Sequence, residues 1–182
     1  MKCSKKLKTT LLLLMLSAGL VQAQRTDLDV PYVPTRPAVV KAMLEMADVK
    51  STDMVYDLGC GDGRIVVAAA ETFGARGKGF DMDPLRIEEA NANAQAAGVQ
   101  DKVSFTQGDL FDVDLNEASV ITLYLLPDVN MKLRPKLLAL KPGTRIVSHA
   151  FDMGDWEPDE TRQVEGATIY FWTVPENDLN KQ

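Results

Sequence analysis

Apolar residues return every three to four positions from Ala38 to Ala47 (Val39, Val40, Met43, Leu44, Ala47), a spacing that predicts a helix. The pattern then shortens. A strand at about Met54 to Leu58 runs into three glycines, and a second helical stretch follows from about Arg64 to Phe73, closed by Gly74 and Gly77. A strand at about Lys78 to Asp81 leads to Asp83 and Pro84, which predict a cap and first turn for an alanine-rich helix from Leu85 to Ala97. Further strands are expected at about Lys102 to Gln107, Ser119 to Leu125 (broken at Pro127) and Thr144 to His149, with a helix at about Asn130 to Leu140 before the last of them. Strands alternating with helices at this spacing predict an α/β fold, a mostly parallel sheet with helices on both faces. The end of the chain breaks this rhythm. Too little remains after His149 for two more crossover helices, so Thr161 to Glu165 and Ala167 to Val174 are expected to pair as a hairpin, making seven strands.

The first residues belong to a different pattern. Residues 1–23 combine a basic start (Lys2, Lys5, Lys6, Lys8), an apolar run Leu11 to Leu16 and Val21-Gln22-Ala23, the order expected of a secretory signal peptide. The run falls short of the ~20 apolar residues that span a bilayer, so export is expected, with an uncleaved membrane anchor as the alternative and the one route to membrane contact. Residues 24–37 hold Pro31, Pro34 and Pro37 and predict an extended lead-in; residues 38–176 form one domain, and 177–182 a polar tail.

Charge narrows the partners. Excluding residues 1–23 removes four lysines and no acids from 20 basic and 26 acidic residues, leaving the remainder at −10. Such a chain repels nucleic-acid phosphate, and no basic stripe offsets it, so no nucleic-acid partner is expected. Cys3 and Cys60 are the two cysteines and His149 the single histidine, which leaves no metal-ligand cluster of zinc type. Cys60 reads as a small residue filling a crowded loop. Oligomeric state leaves no signature here.

The chemistry gathers around Val55-Tyr56-Asp57-Leu58-Gly59-Cys60-Gly61-Asp62-Gly63-Arg64. Glycines at alternate positions between a strand and a helix let the backbone approach a nucleotide-type ligand closely. A dinucleotide loop needs a glycine where Arg64 stands, and the carboxylates of Asp57 and Asp62 disfavour a pyrophosphate while suiting a cation. S-adenosylmethionine carries a sulfonium, an ammonium and ribose hydroxyls, with no phosphate. Ligands of open α/β sheets collect at the carboxyl ends of strands. Asp81, about twenty residues past the loop, stands where a carboxylate accepts ribose hydroxyls, and Asp109 where one accepts from an adenine amino group.

With these motifs in place, the sequence resembles a class I S-adenosylmethionine-dependent methyltransferase over essentially its whole length after residue 23. Asp57-Leu58-Gly59-Cys60-Gly61-Asp62-Gly63 resembles that superfamily's first motif, Asp81 its ribose acid and Gly108-Asp109 its adenine motif. Val30-Pro31-Tyr32-Val33-Pro34-Thr35, Tyr124-Leu125-Leu126-Pro127 and Pro142-Gly143-Thr144-Arg145 are similar to the lysine methyltransferases that modify the ATP synthase c subunit and the adenine nucleotide translocase. The resemblance implies a Rossmann-like sheet with an antiparallel last strand, S-adenosylmethionine bound by Asp57, Gly59, Gly61, Gly63, Asp81, Asp109 and Thr35, and a lid from Tyr32 to Thr35. Those relatives work where the cofactor is made or imported, which an export signal does not match.

Methyl transfer to lysine asks for a slot that orients and desolvates an amine. Tyr124, at the end of the fourth strand, is the leading candidate for that slot, and His149, at the end of the fifth, for taking a proton. Each also has a plain reading, as a packed strand tyrosine or a satisfied buried histidine; Trp156 and Trp172 read as core. Three functions stay open: protein-lysine methyltransferase, small-molecule methyltransferase, and cofactor-binding module without turnover. The lack of a substrate-capping insertion favours the first.

Overall fold

The computed structural model describes residues 32–176. The elements run α1 (Pro37–Met46), β1 (Met54–Leu58), α2 (Arg64–Phe73), β2 (Arg76–Asp81), α3 (Pro84–Ala96), β3 (Val103–Gln107), β4 (Val120–Leu123), α4 (Pro127–Leu138), β5 (Arg145–His149), β6 (Glu160–Val164) and β7 (Ala167–Thr173). They form one seven-stranded sheet in the order β3-β2-β1-β4-β5-β7-β6. Strands β1 to β5 are parallel to one another, while β7 is antiparallel to β6, as the expected hairpin requires, and to β5, as the resemblance implied. The hairpin turns through Glu165 and Gly166, both at positive φ (50° and 79°), the conformation that matches strand twist.

Alternation along the strands sorts the core into two layers. Val55, Val120, Val147 and Ile169 face α1 and α2 on one side of the sheet. Tyr56, Leu58, Ile121, Leu123, Ile146 and Trp172 face α4 on the other, packing with Val129, Leu133 and Leu137. Trp172 is fully buried and its Nε1 donates to the Trp156 carbonyl (2.7 Å), so the tryptophans belong to the core.

Gly77, expected to help close α2, lies inside β2, and two helix starts move as well. Pro37 and Pro127, read from sequence as the end of a lead-in and a break, are the first residues of α1 and α4. A proline's fixed φ and missing N–H suit a helix's first position, where no intrahelical partner is lost. Strand β4 therefore stops at Leu123, short of the predicted Leu125, and Tyr124 and Leu125 sit on the connection into α4. The signal segment, residues 24–31 of the lead-in and the polar tail lie outside the described residues. Strand order reverses between β1 and β4, and the crevice at their carboxyl ends is where the fold offers a ligand site.

Candidate active site

The glycine loop is built by close approach. Gly61 is at φ 52°, and a Cβ there would stand 2.5 Å from the Tyr32 ring; one on Gly63, at φ 74°, would meet the Phe105 ring at 2.6 Å and Ala90 at 2.8 Å. Gly63 thus supplies the tight helix-to-sheet packing that a dinucleotide loop assigns to its sixth position. The loop is fixed to β2 through backbone bonds from Gly59 (2.8 Å) and Cys60 (2.9 Å) to the Phe80 carbonyl.

Asp81 ties this loop to the next helix. Its Oδ2 accepts the Gly61 N–H (2.8 Å) and its Oδ1 the Asp83 N–H (3.0 Å), while Asp83 caps α3 by accepting from Leu85 (2.9 Å). A carboxylate has about four acceptor positions, so Asp81 keeps capacity for two ligand hydroxyls. Asp109 uses one oxygen on the Phe111 N–H (2.9 Å) and is otherwise exposed to the cleft.

Asp57 is 2% exposed at the base of the cleft and accepts from the Thr122 hydroxyl at 2.7 Å. Burial pushes its carboxyl up to about 7 against that hydrogen bond, with the nearby Asp81 and Asp62 adding to the rise. The Cys60 thiol is also pushed well up by burial, with Asp57 and Asp81 adding; it stays protonated, in keeping with a packing residue.

Asp62 departs from expectation. Arg64 grips it bidentately, Nε to Oδ1 at 2.8 Å and Nη2 to Oδ2 at 2.6 Å, and gives Nη1 to the Thr35 carbonyl at 3.0 Å. Burial opposes its charge, yet the Arg64 guanidinium holds Asp62 below the usual carboxylate range. The loop is therefore not doubly anionic, because this pair neutralises itself. What disfavours a pyrophosphate is instead that both cations lining the cleft are engaged. Arg86 stacks over the Tyr32 ring (4.4 Å) and pairs with Glu89 (2.7 Å). A ligand rich in hydroxyls and positive charge fits this set of acceptors; a phosphate ligand finds no free cationic side chain among the residues lining the cleft.

The lead-in folds over the loop. Tyr32, Val33, Pro34 and Thr35 line the cleft together with Asp81 and Gly108, and Thr35 is buried with Oγ1 3.2 Å from His149 Nδ1. The His149 ring stacks on Tyr124 with centroids 3.8 Å apart. Tyr124 lines the cleft; His149 is not among its lining residues and stands behind Tyr124. Burial, with Arg36 nearby, holds His149 below the ordinary imidazole range, so it is neutral at neutral pH.

The cleft thus joins a strand-end acid, an alternating glycine loop and an aromatic wall in one place. Residues 57–160 match the ANTKMT methyltransferase domain. A protein-lysine N-methyltransferase of Saccharolobus islandicus is 47% identical over 154 residues, 81% of this chain and 96% of that protein. The chain belongs to the ANTKMT methyltransferase family.

An adenine nucleotide translocase lysine N-methyltransferase of Mus musculus is 35% identical over 132 residues, and this methyltransferase covers 57% of its length, so it spans little more than half of that relative. Among solved structures, an RNA methyltransferase from Salinibacter ruber in complex with S-adenosyl-L-homocysteine is 60% identical, with a TM-score of 0.78 over 80% of this chain and 95% of that one. The structure brings together Thr35, Asp57, Gly59, Gly61, Asp81, Asp109 and Tyr124 around the methyltransferase's cleft, sets Gly63 beneath the loop and places His149 one layer behind. Sequence reasoning missed Arg64 as the clamp between loop and lead-in. Its one local signal is an aspartate two residues before an arginine at a helix start.

Proposed function

We propose that this methyltransferase uses S-adenosylmethionine to methylate the side-chain amine of a protein lysine. The observation that carries it is the cleft itself: free acceptors at the strand ends, engaged cations, and a tyrosine wall backed by a neutral histidine. The naming of the archaeal and mouse relatives as lysine methyltransferases supports the acceptor. S-adenosylmethionine, when bound, supplies an electrophilic methyl group on a positively charged sulfur. Asp81 would hold its ribose hydroxyls and Asp109 its adenine amino group, and Asp57 offers a carboxylate to its positive charge. Thr35 and Tyr32 close over the glycine loop and exclude water, held down by Arg64. The Tyr124 ring shields the entering amine and lowers its affinity for a proton, while the Tyr124 hydroxyl orients it. His149 keeps that ring in place by stacking.

A second reading has one observation in its favour, the 60% identity to a protein described as an RNA methyltransferase. RNA binding draws on free lysines and arginines, and the cleft offers none beside a chain at −10 without its first 23 residues. Incubating the full chain with labelled S-adenosylmethionine and a host lysate separates the readings. Label recovered as methyl-lysine after acid hydrolysis of protein is expected. Label released by ribonuclease overturns the lysine assignment, and label on a low-mass compound moves it to a small molecule.

We also propose, from the basic start, apolar run and Val21-Gln22-Ala23, that residues 1–23 direct export. N-terminal sequencing of protein from its host should begin at Gln24; an intact Met1 in the cytosol overturns this.

A further inference from the structure

Between residues 32 and 36 of the lead-in only Thr35 is buried, while Tyr32, Val33, Pro34 and Arg36 around it are exposed. Burying a hydroxyl is unfavourable unless it is hydrogen-bonded, and the partner of Thr35 is the His149 ring, Oγ1 to Nδ1 at 3.2 Å. That hydroxyl is engaged with the end of β5, which gives Thr35 a use other than the cofactor contact that the resemblance implied. The Thr35 carbonyl goes the other way, accepting from Arg64 at the start of α2 (3.0 Å). One residue thus ties the glycine-loop side of the site to β5. Arg36 anchors the next position on Glu165, at the β6–β7 turn.

The end of β5 leads on to the acceptor side. Leu123 pairs with Ser148 in the β4–β5 register, so the residues that follow them, Tyr124 and His149, stand side by side, and their rings stack with centroids 3.8 Å apart. Tyr124 lies beyond the last residue of β4, so ring packing and not the strand ladder sets it. Tyr32, Val33, Pro34 and Thr35 all line the cleft, and a ligand filling it gains their contacts only while the lead-in is seated. We propose that Thr35 and His149 are positioning residues that couple the two halves of the site: bound cofactor holds the lead-in, and through Thr35 and His149 the lead-in sets the Tyr124 ring for the incoming amine. The proposal rests on the lysine reading above. Neither residue is assigned contact with the reacting atoms. Coupling of this kind is reciprocal, so an acceptor in the slot must tighten cofactor binding by the factor that the cofactor tightens the acceptor's.

The test uses the full chain, poly-L-lysine as acceptor and S-adenosylhomocysteine, which has no methyl group to transfer, so that calorimetry reads binding without turnover. In the wild type, saturating poly-L-lysine should tighten S-adenosylhomocysteine binding by about fivefold or more, the lower end of usual coupling energies. Thr35→Val keeps the shape of the side chain and removes the hydroxyl; His149→Phe keeps a ring against Tyr124 and removes Nδ1. Each should reduce the tightening to about twofold or less, and the two together should lose no more than either alone. Thr35→Ser, which keeps a hydroxyl, should retain the coupling. If His149→Phe does not fold by circular dichroism, the Thr35 pair carries the test. Equal tightening in the wild type and Thr35→Val overturns the coupling role, and a loss in Thr35→Ser as complete as in Thr35→Val overturns its assignment to the hydroxyl. No tightening in a wild type that still transfers label from S-adenosylmethionine to poly-L-lysine overturns this inference alone. No transfer to poly-L-lysine by the wild type overturns the lysine reading, and this inference with it.

Discussion

Asp81 ends β2 and Tyr124 follows β4, with β1 between them along one cleft, so replacing each should affect different constants. Asp81 holds the glycine loop and the start of α3 through two backbone amides and faces the cleft with its remaining acceptor capacity. Asp81→Ala should weaken S-adenosylhomocysteine binding by about 1.5–3 kcal/mol, roughly the worth of hydrogen bonds to a charged group, with calorimetry as the measure. Tyr124→Ala should cut methyl transfer at least tenfold, an order-of-magnitude expectation for lost orientation, while cofactor affinity stays within about threefold. A joint loss of both would assign Tyr124 to the fold, since its ring also supports His149. These two residues were legible in the sequence because each directly follows or ends a strand. Arg64 was not: its partner Thr35 lies outside its own element, at a sequence distance no periodicity reports.

At the scale of elements, the lead-in, the glycine loop and α2 act as one clamp through Arg64. Its fork fits both Asp62 oxygens and still reaches Thr35, a geometry a lysine's single ammonium does not reproduce. Arg64→Lys should therefore hold the lead-in less well, and Arg64→Gln, which leaves Asp62 without a cation in a half-buried site, should do so least. Stopped-flow dissociation of S-adenosylhomocysteine is expected to be about tenfold faster in Arg64→Gln, on the order of the 1.5–3 kcal/mol of a charge-assisted contact discounted for partial exposure. Equal rates in all three proteins would mean that the lead-in does not gate the cofactor. The elements themselves were readable from apolar spacing, and the hairpin from the shortage of chain after His149. The starts at Pro37 and Pro127 were not, because a proline marks a break and a first helical turn with the same residue. That ambiguity hid how early Tyr124 leaves its strand.

Taken whole, the molecule places a carboxylate where burial opposes its charge, and its stability should show this as pH changes. Asp57 has its pKa raised to about 7 in the fold, from an ordinary value of 3.8 in the unfolded chain, by burial first and by Asp81 and Asp62 after it. Between those values the folded state binds the extra proton, so the contribution of Asp57 to stability falls as pH rises from about 4 to 7 and is constant above. Asp53 and Asp62 act in the opposite sense. Their carboxyls are held low in the fold despite burial, Asp53 by the Lys50 N–H, Ser119 and Arg145 and Asp62 by Arg64, so what they add is present above their ordinary range and lost in acid. Comparing Asp57→Asn with the wild type isolates the first effect. The neutral side chain keeps an acceptor for the Thr122 hydroxyl and never ionises, so the variant should be more stable by about 2–4 kcal/mol at pH 8, with the advantage shrinking to near zero at pH 4. Chemical denaturation across that range measures it. A bound cation beside Asp57 would favour the ionised form, so wild-type affinity for S-adenosylmethionine should tighten as pH rises through about 7, while the Asp57→Asn affinity stays flat. A wild-type affinity that does not change with pH would separate Asp57 from the cofactor's positive charge and leave it a structural partner of Thr122.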